Sequence, residues 1–178
     1  DVLGLRISLG AISAAEARVS EAVLPAVTQA WEKVTKADVK HTDGTGWRQA
    51  GKARSLWTIA TKMATVFKIV IDGSRQTLVP LYGKLRGILV SDRAKALTFW
   101  AMENRQICWA HLLRRFVAFS ERAGPAADIG KELLDCTAIL FVYWRDFVQQ
   151  KISRARLREL LAPLRAQIEG ALLRAQSA

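Results

Sequence analysis

Apolar positions recur at helical spacing near both ends of the chain and at strand spacing through its middle. From Ser8 to about residue 36, Val19, Val23, Val27, Ala30 and Val34 fall on one stripe at steps of three and four, which predicts an amphipathic helix. Ser8 is placed to cap that helix, Ser13 sits one turn inside it, and Pro25 is expected to kink or divide it. Asp1 to Leu5 read as the tail of an earlier helix with a turn at Gly4. The pair outlines either a DNA-binding helix-turn-helix or a plain helical hairpin.

Between about 37 and 110 the period shortens. Val39 to Asp43, Leu56 to Ala60 and Val66 to Ile71 predict three strands, the last two joined by Thr61 to Thr65 at hairpin length. Gly46 and Gly51 are expected to mark turns between the first and second. Ser74 caps a predicted helix with a stripe of Leu78, Leu81, Tyr82 and Leu85. Gly87 introduces Ile88-Leu89-Val90, a short apolar run that reads as a buried parallel strand ending in Ser91-Asp92. A helix at about 93 to 102 and a strand at Gln106 to Cys108 are expected to follow. The first strand has a poor composition for a central one: Asp38, Lys40 and Thr42 share a face, and only Val39 opposite is plainly apolar.

The last third is helical again. Ile129, Leu133, Cys136, Leu140, Tyr143 and Phe147 form one stripe. Ser153 restarts the pattern with Leu157, Leu161, Leu164 and Ile168, predicting an antiparallel hairpin broken near Gln150 to Ile152. The expected divisions are a helical segment over 1–36, a core over 37–123 and a helical insertion over 124–178.

Composition narrows the class. With 51% hydrophobic and 24% charged residues the chain is globular rather than disordered. Its longest apolar run, Cys136 to Trp144, is too short to span a bilayer, and no signal segment opens it, so a cytoplasmic location is expected. The net charge of +11 points to a polyanion, and the cations are spread over several segments rather than gathered on one amphipathic helix, which favours nucleic acid over a membrane surface. Two cysteines do not make a disulfide framework. Chain ends at Asp1 and within a helical pattern at Ala171 to Arg174 suggest a fragment.

Chemistry enters through two carboxylates. A three-strand meander followed by a right-handed crossover allows the strand at 88–91 to lie parallel beside the first. Asp43 and Asp92 then meet at adjacent strand ends, where they can share a divalent metal. By spacing alone Asp92 reads equally as a turn or helix cap. Cys108, Cys136, His41 and His111 are the only soft ligands and are too scattered for a zinc site. His111, in the first turn of a helix, is read either as a partner for a carboxylate or phosphate or as packed on Trp109. Arg114 and Arg115 are candidates for the DNA backbone. Trp47 and Trp57 are read either as platforms for an unpaired base or as core.

Four blocks occur in order: His41-Thr42-Asp43-Gly44-Thr45-Gly46-Trp47-Arg48; Leu56-Trp57; Gly87 to Asp92; and Gln106-Ile107-Cys108-Trp109-Ala110-His111 through Phe116. Together they resemble the transposases of the insertion-sequence sixty-six family. The flanks at Ser8 to Ser13 and Ser153 to Ala166 are similar too, so the resemblance covers nearly the whole chain. It implies a DDE transposase with an α/β, ribonuclease-H-like mixed sheet, a three-strand meander plus parallel strands. An N-terminal helical segment and a C-terminal helical hairpin insertion would flank that sheet.

The resemblance implies Asp43 and Asp92 as catalytic metal ligands for magnesium or manganese, two ions in the intact enzyme. His111, Arg114, Arg115, Arg48 and Trp47 would bind DNA or support the site. Its partners would be transposon ends, target DNA and further copies of itself, near the nucleoid and away from membranes. The intact enzyme would hydrolyse a phosphodiester at an element end and use the freed 3′-hydroxyl to attack target DNA. The third acidic ligand, a Glu beyond the helical insertion, is expected to be absent from the chain. Glu121, Glu132, Glu159 and Glu169 all fall in helical patterns. On that basis the chain alone is expected to be inactive, with a DNA-binding or transposase-interacting remnant as the alternative and a ribonuclease-H-like nuclease unrelated to transposition disfavoured. Two positions depart from the family: Gly44 stands where Glu is usual, and Arg93 to Leu97 replace aromatic residues after the second Asp.

Overall fold

A computed structural model describes Gly4 and residues 7–176. The reading of Asp1 to Leu5 as an earlier helix falls, Gly4 apart, outside the described residues. Those residues form two compact units that divide between Ile107 and Cys108.

In the first unit, α1 spans Leu9–Lys36, and the Ser8 hydroxyl accepts from the Ala11 amide at 3.1 Å. Pro25 does not divide it. The carbonyl left without a donor one turn back belongs to Glu21, an exposed residue, so water can satisfy it. The predicted stripe is only half used. Val34 is buried, with Ala30 and Trp31 against the same core, while Val19, Val23 and Val27 remain exposed.

Five strands follow: β1 Val39–Gln49, β2 Lys52–Ala60, β3 Thr65–Val70, β4 Ile88–Ser91 and β5 Arg105–Ile107, with helix α2 Arg75–Tyr82 between β3 and β4. The sheet order is β3-β2-β1-β4-β5. The first three strands form an antiparallel meander, and β4 and β5 run parallel to β1. This mixed sheet is the ribonuclease-H-like arrangement. Two expected features differ. Gly46 lies inside β1, and the turn falls at Ala50-Gly51, whose φ values of 49° and 75° are those of a tight type I′ hairpin. The expected helix at 93–102 is instead two short 3-10 turns, Lys95–Leu97 and Met102–Asn104.

The core lies on one side of the sheet, where Trp57, Ile59, Val66 and Leu89 meet Val34, Leu78, Tyr82, Leu85 and Leu97. The side of central strand β1 that faces it is polar. Lys40 is fully buried, donating through Nζ to the carbonyls of Ala37 and Arg86 (2.7 Å to the latter), and Thr42 donates to the Thr58 carbonyl at 2.8 Å and pairs with the Tyr82 hydroxyl. Lys40 and Thr42 thus both have partners, which is how a polar strand sits centrally. Val39, the one plainly apolar residue of the opposite face, is on the open side and 41% exposed.

Gly87 sets where β4 lies. Its φ is +85°, a Cβ there would fall 2.3 Å from the Asp38 carbonyl oxygen, and that oxygen accepts from the Ile88 amide at 2.7 Å. The strand therefore starts against β1 in a fixed register.

The second unit contains α3 Trp109–Ser120, α4 Pro125–Val148 and α5 Arg154–Arg174. Ser153 caps α5 through the Arg156 amide. Phe116, Ile129, Leu133 and Ala171 form its core, and Trp109 meets Phe141 edge-on at 5.7 Å. Glu132 near the start of α4 pairs with Arg174 at the end of α5, so the two helices run antiparallel as expected. No helix among the described residues is long and apolar enough to cross a membrane.

Candidate active site

β1 and β4 pair as Val39 with Ile88, Lys40 with Leu89 and His41 with Val90. Continued two residues past its last pair, this register brings Asp43 of β1 level with Asp92, the first residue after β4. Strand alternation puts both on the side of His41 and Val90, opposite the side of Lys40, Thr42 and Leu89 that faces the core. Asp43 is exposed, and its Oδ1 accepts from the Gly44 amide at 3.1 Å. Across the meander it is paired with Thr58.

Asp92 is half-buried and lies just past the end of β4. Its Oδ1 accepts from the Ala94 amide at 3.0 Å. The Asp92 carbonyl accepts from the Ser91 hydroxyl at 2.8 Å and from Arg105 Nη2 at 3.1 Å, and the same guanidinium nitrogen reaches the Ala94 carbonyl at 3.1 Å. These bonds take backbone groups that a helix starting at residue 93 would use, which explains why only 3-10 turns form there. Arg105 is a positioning residue that the sequence pattern did not reveal, since its partners lie 11 and 13 residues away on another strand end.

The residue after Asp43 is Gly for a steric reason. A Cβ at Gly44 would approach the Trp57 ring to 2.7 Å. Trp57 itself is buried, edge-on to Tyr82 at 6.1 Å, and so belongs to the core. Trp47 is different: it is 44% exposed, on the same side of β1 as Asp43. Arg48 alternates to the other side, where its guanidinium reaches the Gly51 carbonyl at 3.5 Å.

His111, Arg114 and Arg115 belong to α3 in the helical unit. Arg114 and Arg115 are exposed, and His111 occupies the third helical position with Nδ1 buried and lacking a hydrogen-bond partner among the described residues. Cys108 lies at the start of α3 and Cys136 is buried in α4, where burial pushes its thiol pKa up.

Asp43 was expected near the end of the first strand but lies mid-strand, because β1 runs on to Gln49, and only Asp92 stands at a strand end. Carboxylate oxygens of this kind suit a hard divalent cation better than a soft one. Among the described residues, no third His, Cys, Asp or Glu joins the pair in a cluster. No curated protein matches the chain. Residues 1–177, in contrast, match the description Transposase IS66 family, and with this mixed sheet already in view the conclusion is plain: the chain belongs to the IS66 transposases.

Proposed function

We propose that Asp43 and Asp92 are the first two metal-binding carboxylates of a DNA-cleaving and strand-transferring centre. The observation that supports this reading is the shared register of β1 and β4, which, continued two residues past its last pair, brings Asp43 and Asp92 level on one side of the sheet. Magnesium or manganese, when bound, would supply charge stabilisation for phosphodiester hydrolysis at an element end and for attack of the freed 3′-hydroxyl on target DNA. The chain's own contribution is orientation. Arg105 and Ser91 fix the main chain at Asp92, and Gly44 lets the strand carrying Asp43 lie flat on Trp57. Trp47 lies on the same side of β1 as Asp43, four residues further along the strand. On the helical unit, Arg114 and Arg115 are proposed contacts to DNA phosphates, with His111 in support. Arg48, on the other side of β1, shares only in the overall positive field.

A second reading is a DNA-binding or transposase-interacting module without catalysis. It is favoured by the local bonds of both carboxylates, to the Gly44 and Ala94 amides, which are those of ordinary turn caps. Calorimetric titration with manganese separates the two. Binding in the millimolar range or tighter, lost in both Asp43→Asn and Asp92→Asn, is expected of the metal pair. Heats unchanged in either variant would leave the second reading standing alone.

A further inference from the structure

The hairpin of β1 and β2 is longer than the sheet that supports it. β4 pairs with β1 only as far as His41, and β3 pairs with β2 only from Ser55 onward. Past these points Trp47 to Gln49 and Lys52 to Arg54 are paired only with each other, and the tip is closed by the tight Ala50-Gly51 turn. The result is a two-stranded ribbon running out of the sheet on the line of Asp43.

Its two sides differ in chemistry. In the ladder Trp47 stands opposite Arg54, and Gln49 opposite Lys52. All four alternate to the side that carries Asp43. The other side holds Gly46, Ser55, Arg48 and Ala53. From Gly44 to Ile71 the sequence contains no Asp or Glu, and among the described residues none of Arg48, Lys52 or Arg54 has an acidic partner. Trp47 is four residues from Asp43, or about 13 Å along a strand.

We infer that the Trp47, Lys52 and Arg54 side of this ribbon holds an unpaired stretch of DNA next to the phosphate that meets Asp43. An exposed indole with two cations on the facing strand, one opposite it and one a pair nearer the tip, is a stacking platform with phosphate contacts alongside, the combination that binds single strands without reading sequence. The inference rests on the proposed role of Asp43 only for where the DNA runs. The ribbon's binding itself needs no metal.

The test is therefore made without one. The full chain in EDTA is titrated into a fluorescein-labelled duplex with a single-stranded overhang and into the same duplex made blunt, over a range of salt. Trp47→Ala weakens binding to the overhang about tenfold, and Trp47→Phe, which keeps a ring, recovers most of the loss. The double variant Lys52→Gln with Arg54→Gln lowers the slope of log affinity against log salt by about 1.4, the share of two single-strand phosphates. Arg54→Gln alone is compared with Arg48→Gln, the same change of charge on the other side, which is the control and weakens binding far less. Circular dichroism melts confirm that each variant is folded.

Arg48→Gln matching Arg54→Gln, losses as large on the blunt duplex as on the overhang, or no salt-dependent binding by the parent chain would each overturn the inference. None of these outcomes bears on manganese binding by Asp43 and Asp92. Conversely, a failed manganese titration with ribbon-dependent binding intact would remove the catalytic reading and keep the ribbon.

Discussion

Tyr82 and Lys40 lie on the core side of β1 and titrate in opposite senses. Burial raises the Tyr82 pKa to about 12 from the usual 10, against a smaller lowering by its hydrogen bond with Thr42. The folded chain then keeps a proton that the unfolded chain releases, so this contribution to stability is complete below pH 10 and is lost as pH rises from 10 toward 12. Burial lowers the Lys40 pKa, with Asp38 opposing it, so Lys40 adds stability as pH rises through its lowered pKa toward 10.5. Tyr82→Phe separates them. We predict a loss of about 1 kcal/mol at neutral pH, because the Thr42 hydroxyl keeps its bond to the Thr58 carbonyl, together with a flatter alkaline limb in urea unfolding. An equally steep limb in the variant would show that Tyr82 does not cause it. These residues also show why β1 looked unsuited to the sheet's centre. Lys40 and Thr42 read as surface residues because their partners, Arg86 and Tyr82, lie 46 and 40 residues downstream. The departure at Gly44 is similar: the ring that requires it belongs to Trp57, its partner across the ladder.

Elements were legible where their cause is local. Ser8 and Ser74 cap the helices they were expected to cap, Ser153 caps the one whose pattern it restarts, and the 3.6-residue stripes of α2, α4 and α5 find the buried faces. The pattern on α1 predicted its helix but not its burial, since periodicity reports that a face is apolar and not that anything covers it. The 93–102 segment was misread because the bonds from Arg105 that govern it are tertiary. Gly87 was legible as a break before β4, and its larger effect is on register. Replacing it with Ala forces a Cβ into the Asp38 carbonyl at a positive φ. We predict that Gly87→Ala costs about 3 kcal/mol, summing backbone strain and overpacking of the kinds that each cost roughly 1–3. Amide exchange should show protection lost first at Leu89 to Ser91, and manganese affinity should fall with it. Protection unchanged along β4 would mean that the strand is placed by something other than its glycine.

At the scale of the whole molecule, the sheet order followed from the crossover rule once the strands were in hand, and the candidate pair followed from the order. The charge of +11 is a separate property of the chain, and the two make opposite demands on Asp43 and Asp92. A carboxylate pair set where a DNA phosphate must come repels that phosphate until a cation intervenes. Asp43→Asn and Asp92→Asn each remove one negative charge, so each should tighten DNA binding in EDTA even as it abolishes manganese binding. At about 5 Å in water-like surroundings one such repulsion is roughly 0.8 kcal/mol, or about fourfold in affinity. The salt slope should stay as in the parent, because no cation–phosphate contact has changed. Turn caps on a surface away from DNA would behave otherwise: their Asn variants would keep the parent's affinity in EDTA and its response to manganese. The sign of the metal-free change thus tells whether this edge of the sheet is where DNA approaches, independently of any turnover.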